Sequence, residues 1–135
     1  MYLLDTNVVS ELRKRRPHPA VVAWLQQQPD QALHLSAVTL GELQAGVEIT
    51  RAQDAAKAAE IEAWVEQVAA TMNVLPMDAA AFRCWARLMH GRPDDLLEDA
   101  MIAATAMSHD LTVVTRNLRD FKVFRVPTLD PFRAR

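Results

Sequence analysis

Cysteine occurs once in this 135-residue chain, at Cys84, so no internal disulfide can brace the fold and a reducing cytosol is the expected compartment. Glycine occurs only three times, and no glycine-rich phosphate loop exists to support an NTPase. Charge of neither sign dominates. The formal net charge of −2 gives no global pull toward nucleic acid, so any such contact must come from a local patch. No apolar run nears the roughly 20 residues that a membrane span needs, and the start lacks the basic and apolar regions of a signal peptide. The histidines, His18, His34, His90 and His109, share no ligand spacing, which argues against zinc. Hydrophobic residues, by contrast, make up 50% of the chain, enough to bury a real core. A cytoplasmic protein with no membrane segment and a single domain over residues 1–135 is the expectation.

Short apolar runs alternate with amphipathic segments. Tyr2 to Val9 reads as a buried strand interrupted by Asp5-Thr6-Asn7, with Ser10 or Asn7 capping the turn that carries Glu11. Pro17 and Pro19 break the chain and restart a helix with Val21, Val22, Trp24 and Leu25. Leu33–Ser36 is a second strand. Thr39 opens a helix in which Gly41 and Gly46 are expected to permit close approach, and Ala52–Met72 continues with Ile61, Trp64, Val65 and Val68 at helical spacing. Val74–Pro76 is a short strand, and Asp78 caps a helix that runs to Met89. Leu97–Ser108 is almost free of charge past Asp99, hence a central, buried helix. Leu111–Thr115 is a β-branched strand, Asn117–Phe121 a turn and Val123–Val126 a last strand. This alternation predicts an α/β fold with a parallel sheet covered on both faces. In such sheets the functional cleft lies beyond the carboxyl ends of the strands.

Four elements bring chemistry toward that cleft. Asp5 and the Thr115-x-Asn117 pair end strands, Asp99 opens the buried helix, and Glu42 lies near the start of the helix after the second strand. Taken singly, Asp5 reads as a turn residue, Glu42 as a solvated helix residue and Asp99 as a cap, a role open equally to Glu98 or Asp95. Their conjunction reads otherwise. Carboxylates gathered at one place repel, and a hard divalent cation reconciles them, which points to metal-dependent phosphoryl transfer. A phosphatase with an aspartyl nucleophile needs a second Asp where Asn7 stands, and a receiver domain needs a lysine that Thr115-Arg116-Asn117 lacks.

The strings LLDTNVVSEL (Leu3–Leu12), VTLGEL (Val38–Leu43), DAMIAATA (Asp99–Ala106) and VVTRN (Val113–Asn117) resemble the PIN-domain nucleases, in particular VapC-like toxins of type II toxin–antitoxin pairs. The resemblance runs from Met1 to about Pro131. It implies a three-layer α/β/α domain with a short central parallel sheet and an acidic site for Mg²⁺ or Mn²⁺. It also implies endonucleolytic hydrolysis of RNA, commonly tRNA or rRNA. Asp5, Glu42 and Asp99 match the family's most characteristic acids, as metal ligands and catalytic groups. Thr6, Asn7, Thr115 and Asn117 are their expected supports. Many relatives carry Asp at the position of Asn117, so the neutral amide here favours a one-metal resting state. Asp120 could compensate for the missing charge as a fourth ligand, though it reads more as part of the Asp120-Phe121 turn.

Partners follow from the same resemblance: a cognate antitoxin, an RNA substrate, a homodimer, a toxin–antitoxin hetero-oligomer, and DNA only through the antitoxin. Arg116 and Arg119 flank the site as candidate RNA contacts, while Arg13–Arg16 reads as a solvated face. The helical pair from Thr39 to Met72 offers apolar residues for a groove that takes a partner helix, with Trp64 in or near it. The alternative function is a catalytically weak module that holds an antitoxin in a DNA-bound autorepressor.

Overall fold

The opening run divides at Asp5. In the computed structural model, which describes residues 1–133, Tyr2–Leu4 form strand β1 and Thr6–Glu11 form helix α1. Asp5 is the hinge. Its backbone is extended, and its Oδ1 accepts the Thr6 N–H at 2.8 Å. The cap therefore lies at Asp5, not at Ser10 or Asn7, because a carboxylate directly after the strand meets the first free helix amide.

The chain continues through α2 (Pro19–Gln26), β2 (Leu33–Ser36), α3 (Ala37–Arg51), α4 (Ala55–Thr71), β3 (Asn73–Leu75), α5 (Ala79–Met89), α6 (Leu97–Ser108), β4 (Thr112–Val114), α7 (Leu118–Lys122) and β5 (Thr128–Leu129). The strand order is β3-β2-β1-β4-β5, and every neighbouring pair is parallel. The chain builds outward from β1 to β3, then returns to add β4 on the other side. The crevice between β1 and β4 is thus the topological switch point, where an open parallel sheet leaves room for a ligand.

Period two sorts the core into two faces. Leu3 and Val113 pack with Ala100, Ile102, Ala103 and Phe121 from α6 and α7. Leu4 and Val114, their neighbours in sequence, pack with Val8, Val21, Trp24 and Val68 from α1, α2 and α4. The result is three layers, α/β/α. Ala100 and Ile102–Ala106 of α6 are buried, as a helix nearly free of charge requires. The tryptophans are anchors. Trp24 meets Tyr2 edge-on at 4.9 Å between ring centroids, and the Trp85 indole N–H donates to the Leu97 carbonyl at 3.2 Å.

Several expectations shift. Helix α3 begins at Ala37 instead of Thr39, because Ser36 Oγ accepts the Val38 N–H at 3.1 Å. Residues 117–121, expected as a turn, include most of α7. The last strand is Thr128–Leu129, not Val123–Val126. Phe124 and Val126 are buried in a turn where Arg125 adopts φ 58°, and the ladder resumes only past Pro127. Helices α3 and α4 bury Val47, Ala58 and Val65 against each other, with Ile61 and Trp64 packed alongside.

Gly41 and Gly46 mediate no close approach, since nothing lies within 4 Å of a Cβ built at either. Gly46→Ala is therefore expected to raise stability by about 0.5–1 kcal/mol through helix propensity alone, read as a higher urea midpoint at unchanged slope. No helix among the described residues is long and apolar enough to cross a membrane.

Candidate active site

Two strand ends meet across the switch-point crevice. The Asp5 N–H donates to the Val114 carbonyl at 2.9 Å, which places the Asp5 side chain beside Thr115. Thr115 Oγ1 donates to Asp5 Oδ2 at 2.8 Å, and Asn7 Nδ2 donates to the same oxygen at 3.2 Å. Thr115 Oγ1 in turn accepts from Asn7 Nδ2 at 3.3 Å and from the Asn117 N–H at 3.0 Å. The Arg116 N–H closes the loop on Asn7 Oδ1 at 3.3 Å. Asp5, 5% exposed, is thereby held in one orientation. Thr115→Val keeps the volume and removes this hub. It is expected to cost about 1–3 kcal/mol, measured by denaturant unfolding, because it strands buried partners.

Glu42 enters from the neighbouring helix. Thr6 Oγ1 donates to Thr39 Oγ1 at 3.1 Å, tying α1 to α3, and Glu42 lies one turn beyond Thr39 on the same side. Its Oε1 is buried and has no hydrogen-bond partner. Asp99 comes from the first turn of α6. Asn117 caps α7 through its backbone only, and its side chain is exposed. Arg116 turns its guanidinium onto the Phe132 ring, 3.7 Å from the centroid, while Arg119 is exposed on α7.

The acids share one field. Burial, then the charges of Glu98, Asp5 and Asp99, raise the Glu42 carboxyl to about 7, against a smaller opposing pull from Thr6. Burial, then Asp5, Asp120, Glu98 and Asp95, raise Asp99 to about 6. Burial raises Asp5 as well, partly offset by its bonds to Thr115 and Thr6, with Asp120 adding to the rise. The charge of Asp120 thus acts on Asp5 and Asp99. That of Glu98 acts on Glu42 and Asp99. Along the chain Asp120 precedes Phe121 in what looks like a loop. In the structure it stands in the first turn of α7, not in a loop, beside the buried Phe121.

A family model described as the PIN domain matches residues 2–126. This chain belongs to the PIN-domain family. VapC ribonuclease Y4jK of Sinorhizobium fredii is 35% identical over 137 residues, covering 98% of this chain and 98% of that protein. Toxin FitB of Neisseria gonorrhoeae is 34% identical over 140 residues, covering 98% and 99%. A solved structure of FitAB bound to an IR36 DNA fragment matches with a TM-score of 0.86 at 31% identity, covering 100% of this chain and 98% of that one.

The donors of this PIN domain suit one kind of cation. Among the described residues no three His, Cys, Asp or Glu side chains form a preassembled metal cage. Mg²⁺ needs none, since it is held through one or two carboxylates and keeps several waters. The acids supply hard oxygen donors only, and the orphaned Glu42 Oε1 together with the raised Glu42 and Asp99 carboxyls is the condition that a divalent charge relieves.

Proposed function

We propose that this PIN domain is a metal-dependent endoribonuclease, the toxin of a type II toxin–antitoxin pair, and that it hydrolyses phosphodiester bonds in tRNA or rRNA. The observation that carries this reading is the shared field of Asp5, Glu42 and Asp99 around the unpartnered Glu42 Oε1. Asp5 and Asp99 are assigned as the principal holders of Mg²⁺ or Mn²⁺, with Glu42 beside them. The bound cation supplies charge for the phosphate oxygens and lowers the pKa of a water. Glu42 Oε1 takes the proton of the attacking water, a role suited to a carboxyl held near neutrality. Thr115, Asn7 and Thr6 keep Asp5 oriented, so little reorganisation accompanies the reaction. Asn117 sits at the rim as a neutral support. The expected products carry a 5′-phosphate and a 3′-hydroxyl.

The partner in this reading is a cognate antitoxin, supported by the likeness to FitAB, whose solved complex is DNA-bound. An antitoxin arginine entering the acidic cleft would compete with the cation. DNA would be reached through the antitoxin, and the free toxin is expected to be a homodimer.

Antitoxin-free protein incubated with total bacterial RNA in Mg²⁺, in Mn²⁺ and in chelator tests the reading. Discrete fragments that require the cation are expected. Absence of both cleavage and cation binding would sink it and leave the antitoxin-holding module.

A further inference from the structure

The basic residues sort differently in space than along the chain. Lys14 of the Arg13–Arg16 run pairs with the buried Glu11, and Arg116 lies over Phe132. Arg119, Lys122 and Arg125 are exposed, and none of the ion pairs among the described residues includes them. Together with Val126, Pro127 and Thr128 they line a cleft of about 630 Å³.

The fold builds this cleft and aims it. Arg119 and Lys122, three residues apart, share one side of α7. Asp120 lies on the same helix, and its charge raises the carboxyls of Asp5 and Asp99. Arg125 adopts a left-handed backbone, φ 58°, that disfavours a long side chain. It is held there by buried Phe124 and Val126 on either side and by Arg92, whose Nη2 donates to the Val123 carbonyl at 3.1 Å. Strain of this kind persists where surrounding contacts over-determine it. Helix α7 is the crossover between parallel β4 and β5, so it runs from the acidic end of the sheet toward the other. The cleft is lined from Leu118, the residue after Asn117, to Thr128 at the start of edge strand β5.

We propose that Arg119, Lys122 and Arg125 form a phosphate-tracking subsite for single-stranded RNA, holding the backbone on one side of the bond that is cut. The proposal rests on the nuclease reading and adds where the substrate lies. No aromatic ring lines the cleft, so it takes the phosphodiester backbone and reads no base.

The test is binding without cleavage. Wild type, R119Q/K122Q/R125N and R13Q/R15Q/R16Q are titrated in chelator with a labelled single-stranded RNA, followed by anisotropy between about 50 and 200 mM salt. Asparagine at 125 tolerates the left-handed backbone, and R119Q/K122Q, confined to the exposed side of α7, serves if the triple variant melts early. The subsite predicts a salt slope smaller by about 2, from three contacts at about 0.7 each for a single strand. It also predicts at least a ten-fold loss of affinity at low salt, with the Arg13, Arg15 and Arg16 control unchanged. Wild-type affinity and slope in the cleft variant, or equal losses in the control, would overturn it. If wild type cuts RNA and the cleft variant binds normally, the subsite alone fails. If wild type neither binds nor cuts RNA, the nuclease reading fails with it.

Discussion

Asparagine at position 99 is expected to lower RNA cleavage by about 10²–10⁴-fold while making the metal-free protein more stable at pH 8. The two effects share one cause. The Asp99 carboxyl is raised to about 6 by burial and by Asp5, Asp120, Glu98 and Asp95, so at pH 8 its charge opposes folding. Asn keeps the shape and removes the charge. Asp99 is only partly buried, so after discounting for solvent screening the gain is about 1 kcal/mol, a few degrees in Tm. A variant that lost activity by unfolding would show the opposite sign. Initial rates on RNA, with thermal melts in chelator, decide the matter. A wild-type rate, or a lower Tm accompanying the lost rate, would remove Asp99 from the proposed role.

The second large effect couples pH to the cation. Glu42 at about 7 and Asp99 at about 6 both lie above their ordinary values of 4.5 and 3.8. Stability from the protonated forms is fully present below the unfolded values and is lost as pH rises through about 6 and then 7. In chelator, Tm should therefore fall by several degrees from pH 5 to pH 8. Glu11 does not mask this. The Lys14 ammonium and the His18 N–H hold its carboxyl below the ordinary range, so its contribution is lost only on the acid side of that window.

A cation that binds only the folded state adds RT ln(1 + [L]/Kd), about 2.7 kcal/mol at 100 times Kd. Mg²⁺ should then lift Tm strongly at pH 8 and hardly at pH 5, where protons compete for the same oxygens. Scanning calorimetry with and without Mg²⁺ checks this. Identical pH slopes in the two conditions would mean that these carboxyls do not hold the ion.

Where local physics decides an element, the sequence alone suffices. Leu97–Ser108 has no charge beyond Asp99, so only a buried helix accommodates it, and α6 spans those same residues. Asp78 is a good acceptor ahead of an amphipathic run, and its carboxylate takes the Ala81 N–H at 2.9 Å. Elements set by distant contacts were less legible. The segment Val123–Val126 has strand composition, yet Phe124 and Val126 serve the core better as a turn that directs Arg125 outward. The apolar faces of α3 and α4 are visible as stripes, but not that they close on each other.

The same division runs through the site. Asp5, Glu42, Asp99 and Thr115 stand out in sequence because each is a polar residue at the edge of an apolar element, and burying such a group needs a reason that composition reveals. Their support is tertiary. The bond from Thr115 to Asp5 joins residues 110 apart, and the Thr6–Thr39 contact joins residues 33 apart. The charge that Asp120 and Glu98 add depends on how α7 and α6 are turned toward the crevice. Periodicity along a chain records which side of its own element a residue occupies. Which other elements that side faces is set by strand order and crossover, and that is why the acids and their gathering at one cleft were legible while the added charge of Asp120 and Glu98 was not.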